Sequence, residues 1–115
     1  MSKSLDYQVA TKAREIIADP ECWLRGELAA TADRRSVDPT DDEAYRFCAV
    51  GALRRAVHEI APGRRILADR IQLALEDYVL RHHPGLDESL ECLNDEGDHA
   101  LVMRIFDEFL AQRAR

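Results

Sequence analysis

Thr40-Asp41-Asp42-Glu43-Ala44-Tyr45-Arg46-Phe47-Cys48-Ala49-Val50-Gly51-Ala52-Leu53-Arg54-Arg55-Ala56-Val57-His58-Glu59-Ile60 is the stretch on which the fold turns. Thr40 and Glu43 have capping-box spacing, in which the hydroxyl accepts from the Glu43 N–H and the carboxylate reaches back. Acidic residues in a first turn also suit the helix dipole. The pattern predicts a helix over about 40–60, stopped by Pro62-Gly63. Its apolar stripe changes side. Ala44, Phe47, Cys48 and Gly51 share one face, whereas Leu53, Ala56, Val57 and Ile60 lie nearly opposite. A helix apolar on two sides is a central one, packed on different neighbours along its length. Gly51 inside it costs about 1 kcal/mol relative to Ala, a cost that close approach of another backbone would explain.

Outward from this stretch, helical periodicity recurs. Leu5, Val9, Ala13, Ile16 and Ile17 predict a helix over about 4–18, ended by Asp19-Pro20, because Pro disfavours helical geometry in the preceding residue. Ile66, Leu67, Ile71, Ala74, Leu75, Tyr78 and Val79 predict another over about 65–82, and Leu101 to Leu110 a last one over about 98–113. Between them, 87–93 reads as a short turn carrying Leu90 and Leu93, followed by a break at Asn94-Asp95-Glu96-Gly97-Asp98. The segment Cys22 to Val37 has no clean period: it fits a short helix or an irregular, partly extended segment that lays Trp23 over the core, and is taken as an irregular loop with some helix. The expected architecture is all-α: one domain over 1–115, a compact bundle of four to five helices around the central one.

Apolar residues make up 46% of the 115 and charged residues 33%, a globular balance. The net charge of −6 argues against direct nucleic-acid binding. Cys22, Cys48 and Cys92 are odd in number, without a C-x-x-C pair, which predicts free thiols in a reducing cytoplasm. Met1-Ser2-Lys3-Ser4 carries no apolar signal core, and no apolar run approaches the roughly 20 residues of a membrane span.

The candidates for chemistry are few. Cys48 would need a His within hydrogen-bond reach and an orienting group. His58 lies about 15 Å further along a continuous helix, at about 1.5 Å per residue. His99 with Asn94 or Asp95 would complete a triad if the last helix started beside Cys48. The alternative is a small core residue among Ala44, Phe47 and Gly51. His58, His82, His83 and His99 and the three cysteines lack paired zinc spacing, so neither metal nor cofactor is expected. Asn94, Asp95 and Asp98 read as caps of the last helix rather than a calcium loop. Phosphate loops, G-x-S-x-G and dinucleotide fingerprints are absent.

Trp23 with Gly26, then Cys48-Ala49-Val50-Gly51-Ala52-Leu53, then Asn94-Asp95 before a final amphipathic helix, resembles a family of small bacterial and phage proteins of unknown function. These share a C-x-x-G-A-[LI] helix and a later Asn-Asp pair. The resemblance spans roughly residues 20 to 110. Glu96-Gly97-Asp98-His99 replaces the family's Pro-Gly-Arg-Thr type of turn. The resemblance implies a helical fold and a bacterial or phage origin, and brings no activity with it.

Charge then carries the functional expectation. Eight acidic residues and one Arg lie between Asp87 and Glu108, while five Arg fall between Arg54 and Arg70. The reading adopted is a non-enzymatic protein-protein interaction protein, such as a phage or mobile-element inhibitor of a host defence nuclease (anti-CRISPR-like). Asp95, Glu96, Asp98, Asp107 and Glu108 would dock on a basic, nucleic-acid-binding protein; a homodimer is left open. The alternatives are a cysteine-dependent hydrolase using Cys48 and a nucleic-acid regulator using Arg34-Arg35, Arg54-Arg55 and Arg64-Arg65.

Overall fold

The computed structural model describes residues 3–114; Met1 and Ser2, part of the start read for a leader, lie outside them. The decisive stretch breaks at Cys48. Arg46–Phe47 is a short strand, β2, pairing antiparallel with β1, Ala29–Ala30, with Phe47 opposite Ala29. Helix α2 begins only at Ala49 and runs to Ile60. The expected start near Thr40 is therefore corrected by nine residues.

The reason is local competition for hydrogen bonds. Asp38 accepts from the Thr40 N–H and hydroxyl, and Asp41 accepts from the Glu43 N–H. The acids that would have dressed a first helical turn close two tight turns instead. The apparent change of apolar face near Gly51 follows. Arg46–Phe47 is extended and Phe47 is buried, whereas the helical period starts after Cys48.

Four other helices complete the described chain: α1 (Leu5–Ile16), α3 (Arg65–His82), α4 (Leu90–Glu96) and α5 (His99–Arg113). Side-chain oxygens of Ser4, Ser89 and Asp98 cap α1, α4 and α5, each satisfying one of the N–H groups a helix leaves open at its start. Asn94 and Asp95 do not cap α5 as expected. They lie inside α4, which continues through them to Glu96.

The all-α reading holds, and so does the central role of the shortened helix. α2 packs on α1, α3 and α4, and it buries every residue from Ala49 to Leu53, then Ala56 and Val57. α5 closes the other side against α1 and α3, with Val102, Ile105 and Phe106 almost fully buried. The Cys22–Val37 segment is irregular, as expected, but carries no α-helix: a 3-10 turn at Pro20–Cys22 leads into it and its regular element is strand β1. α3 turns Ile66, Leu73 and Leu80 outward at seven-residue spacing. Among the described residues, no helix is long and apolar enough to cross a membrane.

Candidate functional site

Six residues separated in sequence meet where the 22–28 segment crosses the start of α2. Asn94, fully buried on α4, is the hub. Its Oδ1 accepts from Trp23 Nε1 at 2.7 Å and from the Ala49 backbone N–H at 2.9 Å. Its Nδ2 donates to the Leu24 carbonyl at 3.0 Å and to Asp95 Oδ1 at 3.1 Å. An amide side chain offers two donor hydrogens and two lone pairs, so Asn94 is saturated. Asp95 Oδ1 also accepts from the Gly26 N–H at 2.9 Å, in a turn where Gly26 adopts φ +82°.

Cys48 occupies the N-cap of α2, not a position two turns inside a helix. Its Sγ accepts from the Gly51 N–H at 3.3 Å, and its own N–H donates to the Leu28 carbonyl. The helix dipole at this position favours a thiolate. Burial acts more strongly and pushes the thiol pKa up, with Asp95 and Glu91 adding to the rise. His99 does not orient Cys48 by a hydrogen bond. Its Nε2 lies 2.7 Å from the Ile17 carbonyl, an acceptor that requires the proton on Nε2, and its ring stands edge-on to Trp23.

Cysteine chemistry therefore has a simple expected ranking. Cys92 is exposed, Cys22 half-buried and Cys48 buried. Alkylation of the native protein followed by mass spectrometry should modify Cys92 first and Cys48 only under unfolding conditions. Rapid Cys48 labelling at neutral pH in the folded protein would revive the nucleophile reading.

The expected acidic surface is dispersed by internal pairing. Asp107 bonds Arg14 at 2.8 Å across the α1–α5 contact. Asp98 is a cap, and Asp95 is tied to Gly26. Glu108 accepts from Arg104 and Tyr78 and lies 2.7 Å from His83 Nε2. Of the five acids expected to bind a partner, Glu96 alone has neither a cation nor an N–H partner among the described residues. Its neighbour is Asp87, whose carboxylate raises the Glu96 pKa first by a shared hydrogen bond and then by repulsion.

Glu108 makes a pH prediction. Hydrogen bonds from His83, then Arg104, hold its pKa down to about 2. A carboxylate depressed in the folded state contributes stability that is fully present above its unfolded value of about 4.3 and is lost as pH falls through the folded one. Acid unfolding curves between about pH 4.3 and 2 should therefore be shallower for Glu108→Gln than for the unaltered chain. Identical acid limbs would mean that the cluster contributes nothing.

Within the arginine pairs, Arg35 and Arg55 are neutralised, whereas Arg54 and Arg65 line one groove. Arg35 meets Asp33 and Glu43, and Arg55 meets Glu59 and the carbonyls of Pro39 and Asp41. The residues hardest to foresee were backbone groups. The Leu28 carbonyl and the Ala49 N–H carry no side-chain identity in the sequence, and Gly51 was the sole sign that something must pass close by.

A family model described as a family of unknown function, DUF6197, matches residues 1–112. No curated protein and no solved structure matches the chain.

Proposed function

We propose that this chain, which belongs to the DUF6197 family, is a non-enzymatic binding protein that docks a basic protein partner on the acidic edge formed by α4 and the loop before it. The observation that carries the reading is where the unpaired acids are. Asp87, Glu88, Glu91 and Glu96 are exposed and have no cationic partner among the described residues, unlike Asp107 and Glu108. Asp87 and Glu96 repel each other, and a Lys or Arg brought between them would relieve that repulsion. Support also comes from Cys48, Asn94 and His99, whose polar atoms are engaged in holding segments together.

A bacterial or phage setting extends the sequence resemblance. There the partner would be a host defence nuclease whose nucleic-acid channel is basic, met in the cytoplasm. The binding face differs from the five acids read from the sequence, because four of those are engaged: Asp95 by the Gly26 N–H, Asp98 as a cap, Asp107 by Arg14, and Glu108 by Tyr78, His83 and Arg104.

The test is co-purification from the native host with the unaltered chain and with Glu88→Lys/Glu91→Lys/Glu96→Lys. Partner recovery should fall about tenfold or more, since opposing like charges across an interface costs several kcal/mol, while the melting temperature stays within a few degrees. Recovery should also decline with added salt. A triple variant that retains its partner would remove the acidic edge from consideration.

A further inference from the structure

A groove at the α2–α3 turn brings together two of the basic side chains that the fold leaves unpaired among the described residues. Arg14, Arg35, Arg55, Arg70, Arg81 and Arg104 each have a carboxylate partner. Arg54 and Arg65 have neither a carboxylate nor a carbonyl acceptor among the described residues, and both line this groove. His58 lies one turn from Arg54 on α2 and faces the same space. Val57 and Ala68 supply an apolar floor, and Asp38 is the one acid in the lining.

The balance of charge decides the ligand's sign. Two permanent cations and a histidine face a single carboxylate in a protein whose net charge is −6. Asp38 does not neutralise them at contact distance. Its carboxylate is engaged by the Thr40 N–H and hydroxyl. Those bonds hold its pKa down, with weaker help from Arg65 and Arg54. The guanidinium groups therefore keep their donors free, and planar donor forks match phosphate oxygens.

Size favours a small molecule. The groove offers about 280 Å³, at the lower edge of the roughly 300–1,000 Å³ of small-ligand sites. A phosphate fills a fraction of it, leaving room for an organic moiety over Val57 and Ala68. A polynucleotide would need a row of cations along its backbone. Here the next arginine on α2, Arg55, is already paired with Glu59.

We infer that this groove binds the phosphate of a small phosphorylated ligand, with Arg54 and Arg65 as its donors and Val57 and Ala68 under the organic part. This site is independent of the acidic edge of α4.

The experiment is amide-shift titration by NMR with inorganic phosphate, pyrophosphate and adenosine monophosphate, against sodium chloride and sulfate at matched ionic strength. Phosphates, and sulfate as an oxyanion of the same shape, should shift the amides around Arg54, His58 and Arg65 in preference to chloride. Arg54→Gln and Arg65→Gln should each weaken binding about tenfold, the loss of one charge-assisted contact, without changing the melting temperature in phosphate-free buffer. Asp38→Asn keeps an acceptor for Thr40 and removes the lone negative charge, so it should tighten binding. Adenosine monophosphate binding more tightly than inorganic phosphate would assign the organic subsite, and equal affinities would assign the site to free phosphate; either supports the phosphate assignment. Equal responses to all anions, unchanged binding in both arginine variants, or saturable binding confined to a single-stranded oligonucleotide would each overturn it.

Discussion

Gly51→Ala is expected to destabilise the chain by at least about 4 kcal/mol, a loss found only where a specific structural mechanism operates. In an isolated helix the same change would stabilise by about 1 kcal/mol, so the sign itself is the test. An alanine Cβ at 51 would stand 1.8 Å from the Leu28 carbonyl oxygen and 2.8 Å from its carbon. Both obstacles are backbone, so no rotamer change relieves the clash. Leu28 is also held in place, because its oxygen accepts from the Cys48 N–H and the next two residues form β1. Accommodating the methyl means lifting the 22–30 segment off α2, which strips Trp23 and Leu24 from Asn94. Native domains are stable by about 5–15 kcal/mol, so the variant is expected to be largely unfolded or molten. Denaturant unfolding followed by circular dichroism measures this. A Gly51→Ala protein as stable as its parent would show that the two backbones do not touch. Gly26→Ala is the contrasting case. No atom lies within 4 Å of its added Cβ, and the cost should be only the roughly 1–2 kcal/mol of a left-handed residue carrying a side chain.

Asn94→Ala should cost about 3–5 kcal/mol. The substitution leaves the Ala49 N–H without its acceptor in the buried start of α2. It also frees Trp23 Nε1 and the Leu24 carbonyl. An unsatisfied buried polar group costs about 1–3 kcal/mol, and partial access of water to Trp23 keeps the sum below three full penalties. Trp23 is the chain's single tryptophan, so its fluorescence reports the loss directly as a red shift in the folded state. Asn94→Asp discriminates further. It retains an acceptor for Trp23 and Ala49 but turns an acceptor oxygen towards the Leu24 carbonyl and Asp95, so it should be as damaging as Ala near neutral pH and less so in acid. A double-mutant cycle with Trp23→Phe should give a coupling of about 0.5–3 kcal/mol, as expected for side chains sharing one network. Additive losses would mean that the 2.7 Å contact is not energetically coupled.

Both predictions concern residues that stood out in the sequence for reasons other than those the fold reveals. Gly51 was legible as an anomaly in a helix, and the close backbone approach inferred from it is present. Asn94 was read as a cap for the following helix, a local role. Its actual work is to cap a helix 45 residues earlier in the chain and to fasten the loop that lies over that helix. The Trp23, Gly26, Cys48, Gly51, Asn94 and Asp95 combination, quoted as a resemblance, is one contiguous junction. A structural demand thus accounts for these residue types appearing together.

The amphipathic periods of α1, α3 and α5 and the Asp98 cap were available from residue order alone. They express contacts among residues three or four apart, and nearest neighbours in a helix are dictated by its geometry. The start of α2 was not available that way. Thr40-Asp41-Asp42-Glu43 is a good helix beginning in isolation, and it yields because Asp38 and Asp41 close turns while Phe47 is drawn into pairing with Ala29. The charge pattern behaves likewise. Asp107 and Glu108 looked like a docking surface until Arg14, 93 residues away, and His83, 25 away, came into contact with them. Which cations remain free, Arg54 and Arg65 among them, is a remainder left after such pairing. Residue order determines what each segment prefers. Only the tertiary structure decides which polar groups become partners, because partners distant in sequence are selected by the packing of the apolar faces that bring them together.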